Sequence, residues 1–316
     1  MLKRFIKSYY DYLIIVVVVL ALFITNFVPG TYLLGWDNLQ TDLNPFLGIK
    51  RSFFAVWQEY QSFGLTSGLN HAADIVRAVF IWLLSLLLPS ELLRYFYHFL
   101  MVLIGGLGAC NLLYKITKEK SFALLGAIFY ILNLGVLQIF YIPWESFSTF
   151  FAFLPWEVWI FAKLLENPRE RKNWILFLII NLLATPQAYV QTIFIVYMLT
   201  LGLFALGIFL ETKSIKTIKD SVFIMFVIIF LNAFWILPQI YSFTTQSDVV
   251  TSAKNNLLAT ESVVYLNLEK GTLPHFLRME GFYFDLYGKF KTFLFLHWRE
   301  HFQNTYISII PLLLSL

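Results

Sequence analysis

The chain has 316 residues, of which 59% are hydrophobic and 13% charged, and its mean hydropathy is +0.71. Soluble domains carry about 25% charged residues, so this composition excludes a water-soluble globular protein and predicts a polytopic membrane protein. The net charge of +4 is explained by basic turns between apolar segments and gives no reason to expect nucleic acid as a partner. A single cysteine excludes an intramolecular disulfide framework.

The first apolar segment, 12–31, follows three basic residues and is predicted to be a retained membrane span. Its uncharged stretch is longer than a signal-peptide core, and no small-residue cleavage pattern follows it. A bilayer core needs about 20 helical residues. The later apolar segments of about that length or more are 92–114, 121–143, 146–165, 174–210 and 220–241.

Segment 174–210 is long enough for two spans. We expect it to reverse at Thr185-Pro186-Gln187, because proline interrupts a helix. A last apolar run, 303–316, is still apolar where the sequence stops. We therefore expect the chain to be the N-terminal fragment of a longer protein.

The stretch 72–90 decides the topology. Only 78–90 is uncharged, which is short for a span. As an interfacial helix it leaves the N-terminus and three Lys/Arg-rich turns in the cytoplasm, whereas as a full span it moves those turns outside. Positive residues in short loops favour the cytoplasm, so we predict an interfacial helix. Asp74 and Arg77 share one of its faces and Trp82 lies on the other, as in helices at the headgroup boundary.

These patterns predict an all-α bundle of about eight transmembrane helices over residues 1–316. Its N-terminus is cytoplasmic, and the predicted location is the plasma membrane. Two long loops, 30–91 and 242–302, are then extracytoplasmic, and the first carries surface helices.

Two aspartates, Asp37 and Asp42, stand just outside the first span. A carboxylate held at the membrane surface has the chemistry of a general base that takes a proton from an acceptor hydroxyl. The alternative is a polar loop leaving the membrane, in which Asp42 or Asn44-Pro45 caps the next helix.

Cations near the predicted membrane surface are candidates to bind the phosphate of a lipid-linked donor. Segment 45–60 is predicted to be an amphipathic surface helix with Lys50 and Arg51 on its cationic side. The alternative for such residues is a solvated face. The other extracytoplasmic cations near predicted interfaces are Arg77, His275 and Arg278.

Within the apolar segments, Glu145 begins the fourth one at its outer end and Glu157 lies inside it. Ionisable groups at membrane depth are costly and are therefore candidates for function, although pairing with a polar neighbour explains Glu157 equally well. Gln187 and Tyr189, just after Pro186, are candidates to line a cavity. Their alternative role is to satisfy the backbone of a broken helix.

No metal or cofactor is predicted. His297-Trp-Arg-Glu300-His301 matches an inverted zinc-protease pattern, but the motif is short and interfacial anchoring explains it better. No phosphate-binding loop is present. Gly105, Gly106 and Gly108 are interpreted as a helix-packing surface of small residues.

This layout resembles the GT-C superfamily of membrane glycosyltransferases. Three pieces carry the closer likeness, and they look like the N-terminal part of the large arabinofuranosyltransferases and the related YfhO-like membrane proteins. They are Asp37-Asn-Leu-Gln-Thr-Asp42-Leu-Asn-Pro-Phe, Trp57 to Phe63-Gly64, and Leu88-Pro89.

The resemblance implies an inverting transferase with a polyprenyl-phosphate sugar as donor and a cell-envelope glycan or glycolipid as acceptor. It implies that an aspartate of the first external loop is the catalytic base, which corresponds to Asp37 or Asp42, with Asp37 favoured as closer to the membrane. The sugar of the arabinofuranosyltransferases is a pentofuranose. Two alternatives stay open: a flippase or exporter of lipid-linked glycans, and a non-catalytic YfhO-like envelope-assembly protein.

Overall fold

The structure, a computed structural model, describes residues 2–34, 43–55, 57, 69–133, 135–136, 140, 143–252, 265, 268 and 271–277. Within these residues the regular elements are helical and no strand occurs, which confirms the predicted all-α class. The helices are α1 Leu2–Asn26, α2 Pro45–Phe53, α3 Leu69–Ala73, α4 Ile75–Ser85, α5 Ser90–Thr117, α6 Lys120–Leu132, α7 Glu145–Glu166, α8 Arg171–Ala184, α9 Gln191–Thr212, α10 Ile215–Leu231, α11 Ala233–Thr251 and α12 Leu273–Leu277.

Four of the described helices, α1, α5, α7 and α9, are long and apolar enough to cross a membrane. A fifth candidate is the pair α10 and α11, whose axes meet at an angle of 79°. Asn232 lies at this bend, donates from its side chain to Ile228 O at 2.9 Å and accepts from Trp235 Nε1 at 2.8 Å. The chain is therefore a multi-pass membrane protein by composition and helix length.

Two predicted spans are shorter than expected. Helix α6 has 13 residues and α8 has 14, so α8 is about 21 Å long against a bilayer core of about 30 Å. The reversal at Pro186 is confirmed, because α8 ends at Ala184 and a 3₁₀ turn, Thr185–Tyr189, leads into α9. The count of eight spans stays a prediction, and the run 303–316 lies outside the described residues.

Contacts divide the chain into two units. The first consists of Met1–Ile131 and Ile142–Ser242, and contains helices α1 to α5 and α7 to α10. The second consists of Leu132–Tyr141 and Phe243–Leu316. Local bonds described in the second unit include Ser252 Oγ to Asp248 O at 2.6 Å.

Helices α5 and α7 run parallel and pack along their full lengths. Contacts join the two helices at the start, the middle and the end of both. Arg94 pairs with Glu145, and Trp156 Nε1 donates to Ile104 O at 2.9 Å. Lys115 Nζ lies 2.5 Å from Glu166 Oε1. Small residues permit this approach: a Cβ added at Gly105 would lie 2.6 Å from the Phe151 ring, and one at Gly108 2.6 Å from Trp156. The predicted glycine packing surface is therefore confirmed.

Helix α1 runs antiparallel to α5. Tyr12 Oη donates to Asn111 Oδ1 at 2.9 Å near the start of α1, and the Phe27 ring meets Tyr95 edge-on at 5.2 Å after its end. The first unit therefore has two distinct ends. The basic end carries the Lys/Arg-rich turns after α5, α7 and α9, and the polar end contains the start of α5, the start of α7 and the 3₁₀ turn.

The short helices α2 and α4 pack against one another at the polar end, with Arg77 of α4 buried and Arg51 of α2 half-buried. On α4, Arg77 is 3% exposed, whereas Trp82 is 37% exposed; on α2, Phe53 is 73% exposed. The predicted separation of faces on 72–90 is confirmed, since Asp74 and Arg77 are buried and Trp82 lies on the more exposed side. The interfacial position of this helix stays a prediction. Exposed apolar side chains and buried charges are the pattern expected of a helix in contact with lipid, because charged groups in an apolar environment need partners.

Candidate functional site

A group of charged and aromatic side chains meets at the polar end of the first unit, and is called the polar cluster below. Helices α2 to α5, helix α7 and the 3₁₀ turn each contribute to it. Its members are Arg51, His71, Asp74, Arg77, Arg94, Tyr97, His98, Glu145 and Tyr189.

Arg94 and Glu145 form an ion pair between the first turns of α5 and α7, with both side chains below 10% exposure. Glu145 is the first residue of α7, where the partial positive charge of a helix N-terminus also favours a carboxylate. Arg94 donates further to Leu33 O at 2.9 Å and to Pro143 O at 3.3 Å. Through these hydrogen bonds Arg94 links α5 to two segments, the one that follows α1 and the one that precedes α7.

His98 lies one helical turn after Arg94 on α5. Its Nε2 is 3.7 Å from Glu145 Oε1, and its Nδ1 is 2.7 Å from Ser148 Oγ. The buried Glu145 carboxylate thus faces a guanidinium and an imidazole, and Ser148 holds the other ring nitrogen of that imidazole.

Asp74 and Arg77 form a two-bond ion pair within one turn around the start of α4. Arg77 Nε and Nη2 donate to the two carboxylate oxygens at 2.8 and 2.7 Å. The guanidinium carbon lies 5.8 Å from the centre of the Tyr97 ring, within cation–π range. Tyr97 Oη is 2.5 Å from Thr149 Oγ1, which links this pair to α7.

Arg51 reaches from α2 to His71 on α3. Its Nε and Nη2 lie 2.8 and 2.5 Å from His71 Nε2. Burial, with a smaller effect of the neighbouring Arg51 charge, lowers the pKa of His71 to about 4. His71 is therefore neutral at pH 7, and its Nε2 accepts from the guanidinium.

Tyr189 closes the cluster from the 3₁₀ turn, with its ring centre 5.3 Å from that of His71. Burial raises the pKa of Tyr189 above its ordinary value, so the phenol keeps its proton at neutral pH. It lies within electrostatic range of both ion pairs of the cluster and of Arg51.

Counted over its nine described members, the cluster holds three guanidinium groups and two carboxylates. Asp74 faces Arg77 and Glu145 faces Arg94, whereas Arg51 faces a neutral imidazole. No carboxylate among the described residues lies within 4 Å of Arg51. Such a guanidinium is suited to bind an anion, and to phosphate in particular it offers a planar pair of donors.

Four of the predicted residues, Arg51, Arg77, Glu145 and Tyr189, come together in the cluster. Lys50 is exposed on α2 and does not join them. Gln187 is buried beneath the cluster beside Glu157, at 2% exposure, and so belongs to a second site.

The remaining predicted residues are not brought to the cluster by the described structure. Asp37, Asp42 and Arg278 lie outside the described residues. His275 belongs to the second unit, where its Nδ1 is 2.8 Å from Thr272 Oγ1.

Sequence reasoning missed Arg94, Tyr97 and His98. A signal for them exists, because Arg94 and His98 are ionisable residues four positions apart within a predicted span. That spacing places them on one helical face, and charged groups in a span seek buried partners.

Glu157 and Gln187 form a separate buried pair about midway along α7. Gln187 Nε2 donates to Glu157 Oε1 at 2.9 Å, which confirms the expectation that Glu157 pairs with a polar neighbour. Nearby, Tyr197 Oη donates to Asn181 Oδ1 at 3.0 Å.

Comparison with protein-family models, with curated proteins and with solved structures finds no match. The GT-C resemblance of the sequence therefore stays a prediction.

Proposed function

We propose that the chain is a membrane glycosyltransferase that moves a sugar from a polyprenyl-phosphate donor to a cell-envelope glycan or glycolipid. The observation that supports this proposal is the excess positive charge of the polar cluster, centred on Arg51. The donor phosphate would bind there, and its developing negative charge during transfer would be stabilised by cations already in place.

The catalytic base in this proposal is Asp37 or Asp42. Segment 35–42, which contains both, connects two described parts of the polar end. Leu33 before it accepts a hydrogen bond from Arg94, and Asn44 after it caps α2 through a 3.2 Å bond to Leu47 N. Deprotonation of the acceptor hydroxyl by either aspartate would generate the nucleophile that attacks the anomeric carbon with inversion.

The proposal includes about eight spans, with the polar end outside the cytoplasm. Lys/Arg-rich turns collect at the opposite end of the first unit, and such turns favour the cytoplasmic side. Polyprenyl-phosphate sugars displayed in the outer leaflet would then meet the polar cluster directly.

The test is a transfer assay with purified chain in nanodiscs, labelled polyprenyl-phosphate pentofuranose and hexose donors, and a glycan acceptor. We expect Asp37→Ala with Asp42→Ala to abolish transfer. We expect Arg51→Ala to raise the KM for donor about tenfold or more, since a hydrogen bond to a charged group contributes about 1.5–3 kcal/mol.

Lys50→Ala is the matched control, because it removes one positive charge from the adjacent residue on the exposed face. Full transfer in the double aspartate variant, or equal KM changes for Arg51→Ala and Lys50→Ala, would reject the proposal. If no donor is used and a labelled lipid-linked glycan instead crosses the bilayer, the protein is a flippase. If neither occurs, the non-catalytic assembly role is supported.

A further inference from the structure

Within the part of the chain that the structure describes, the Glu157–Gln187 pair leaves two buried oxygens without partners. Glu157 is 1% exposed and Gln187 2% exposed. Gln187 Nε2 donates to Glu157 Oε1 at 2.9 Å. Among the described residues, neither Glu157 Oε2 nor Gln187 Oε1 has a hydrogen-bond partner. Each side chain thus uses one polar atom in this hydrogen bond, and its second polar atom is an oxygen acceptor that receives no donor from the described residues.

The surroundings of this carboxyl group are apolar or uncharged in the described part of the chain. Among the described residues, no Lys, Arg or His nitrogen lies within 4 Å of Glu157. The titratable groups that face it are two phenols, Tyr197 from α9 and Tyr130 from α6. Tyr197 lies close enough to Glu157 for a side-chain hydrogen bond, but its single hydroxyl proton is donated to Asn181 Oδ1 at 3.0 Å. An isolated carboxylate in such surroundings is strongly unfavourable, and taking up a proton removes that cost.

We propose that Glu157 is a buried proton-binding site. The proton sits on Glu157 Oε2 and is donated to Gln187 Oε1, while Gln187 Nε2 donates to Glu157 Oε1. A protonated carboxyl has one donor and an amide has both donor and acceptor. One proton therefore supplies the donor that both unpartnered oxygens lack, and the two planar groups close a cyclic acid–amide pair.

This site positions the 3₁₀ turn. Gln187 belongs to Thr185–Tyr189, and Tyr189 at the end of the same turn lies against His71 in the polar cluster. Loss of the proton would set a carboxylate oxygen against Gln187 Oε1 and weaken the anchor of that turn. Glu157 is thus a positioning residue for the turn, and its proton is needed whether or not the chain is a transferase.

Infrared spectroscopy of the full chain in nanodiscs tests this directly. At pH 7 we expect the wild type to show the C=O stretching band of a protonated carboxylic acid, with a shift on hydrogen–deuterium exchange. Glu157→Gln should lose this band. Glu166→Gln should keep it, because Glu166 lies at the far end of α7 and is ion-paired with Lys115. Absence of the band in the wild type, or its persistence in Glu157→Gln, would overturn the proposal.

A second measurement uses thermal unfolding. Glutamine at position 157 carries a permanent N–H donor and mimics the protonated acid, so Glu157→Gln should unfold near the wild-type temperature. Glu157→Ala should unfold at a clearly lower temperature. Failure of Glu157→Gln to fold, or wild-type unfolding that depends on sodium concentration at constant ionic strength, would show that the site holds an ionised carboxylate or a metal cation instead.

Discussion

The two buried glutamates of α7, Glu145 and Glu157, have different surroundings. Glu145 begins α7, where it faces Arg94, His98 and the helix N-terminus. Glu157, twelve positions later, has an amide as its bonded partner. The first environment favours a carboxylate and the second favours a protonated acid. A glutamate in an apolar segment therefore has no fixed chemistry, and its partners from other helices decide its charge.

The largest effect on the free energy of unfolding is expected at Glu145, whose carboxylate is paired with Arg94. Glu145→Gln leaves Arg94 buried without its carboxylate partner, and such a loss costs about 3–5 kcal/mol of unfolding free energy. Glu157→Gln, on the same helix, should cost far less. Thermal unfolding of the two variants in one detergent measures the contrast. Equal destabilisation would contradict the difference between the two sites.

The packing of α5 on α7 sets the distance across which Arg94 reaches Glu145. Gly105→Ala places a Cβ 2.6 Å from the Phe151 side chain and 3.1 Å from Phe151 O, and overpacking of this kind costs about 1–3 kcal/mol. Gly202→Ala on α9 is the control, because a Cβ there meets nothing within 4 Å. Unfolding measurements that show no difference between these two variants would exclude a tight α5–α7 seam.

Lowering the pH should destabilise the packing of α2 and α3 around His71. Its pKa falls from 6.5 to about 4 on folding, so the folded state resists protonation more than the unfolded chain does. The stability linked to His71 is therefore complete above pH 6.5 and is lost as the pH falls toward 4. Thiol labelling of Ser52→Cys, a buried α2 position, should accelerate as the pH falls across this range once each rate is divided by that of a free thiol at the same pH, because only the thiolate reacts. His71→Asn should remove that acceleration, and an unchanged pH profile in this variant would refute the role of His71.

The smallest effect is expected at the basic end of α7. Glu166 is 58% exposed in its pair with Lys115, and exposed ion pairs contribute about 0–1 kcal/mol. Glu166→Gln should therefore change the unfolding temperature little in the same assay. A decrease in unfolding temperature as large as that of Glu145→Gln would show that the exposure of an ion pair does not determine its contribution to the stability of α7.

The sequence predicted those features that local chemistry decides. The Pro186 reversal, the Asn44 cap and the close packing at Gly105 all follow from single residue types. The pairing of Glu145 with Arg94 and of Glu157 with Gln187 joins residues 51 and 30 positions apart, which no local pattern reveals.

The amphipathic helices α2 and α4 show a second limit. Their faces were correctly separated into apolar and charged residues, but the periodicity does not say which solvent the helix meets. In water the apolar face turns inward, and in lipid it turns outward. In the structure Arg77 is buried and Arg51 is half-buried, so neither lies on the fully exposed side of its helix.

The central claim is that the polar end faces away from the cytosol, and labelling at the two ends of α5 tests it most directly. Ser90 and Glu119 are exposed positions at the start of α5 and just after its end, and native Cys110 is buried. In intact cells, a membrane-impermeant thiol reagent should label Ser90→Cys and leave Glu119→Cys unlabelled until the cells are opened. Labelling of Glu119→Cys but not Ser90→Cys in intact cells would contradict the account.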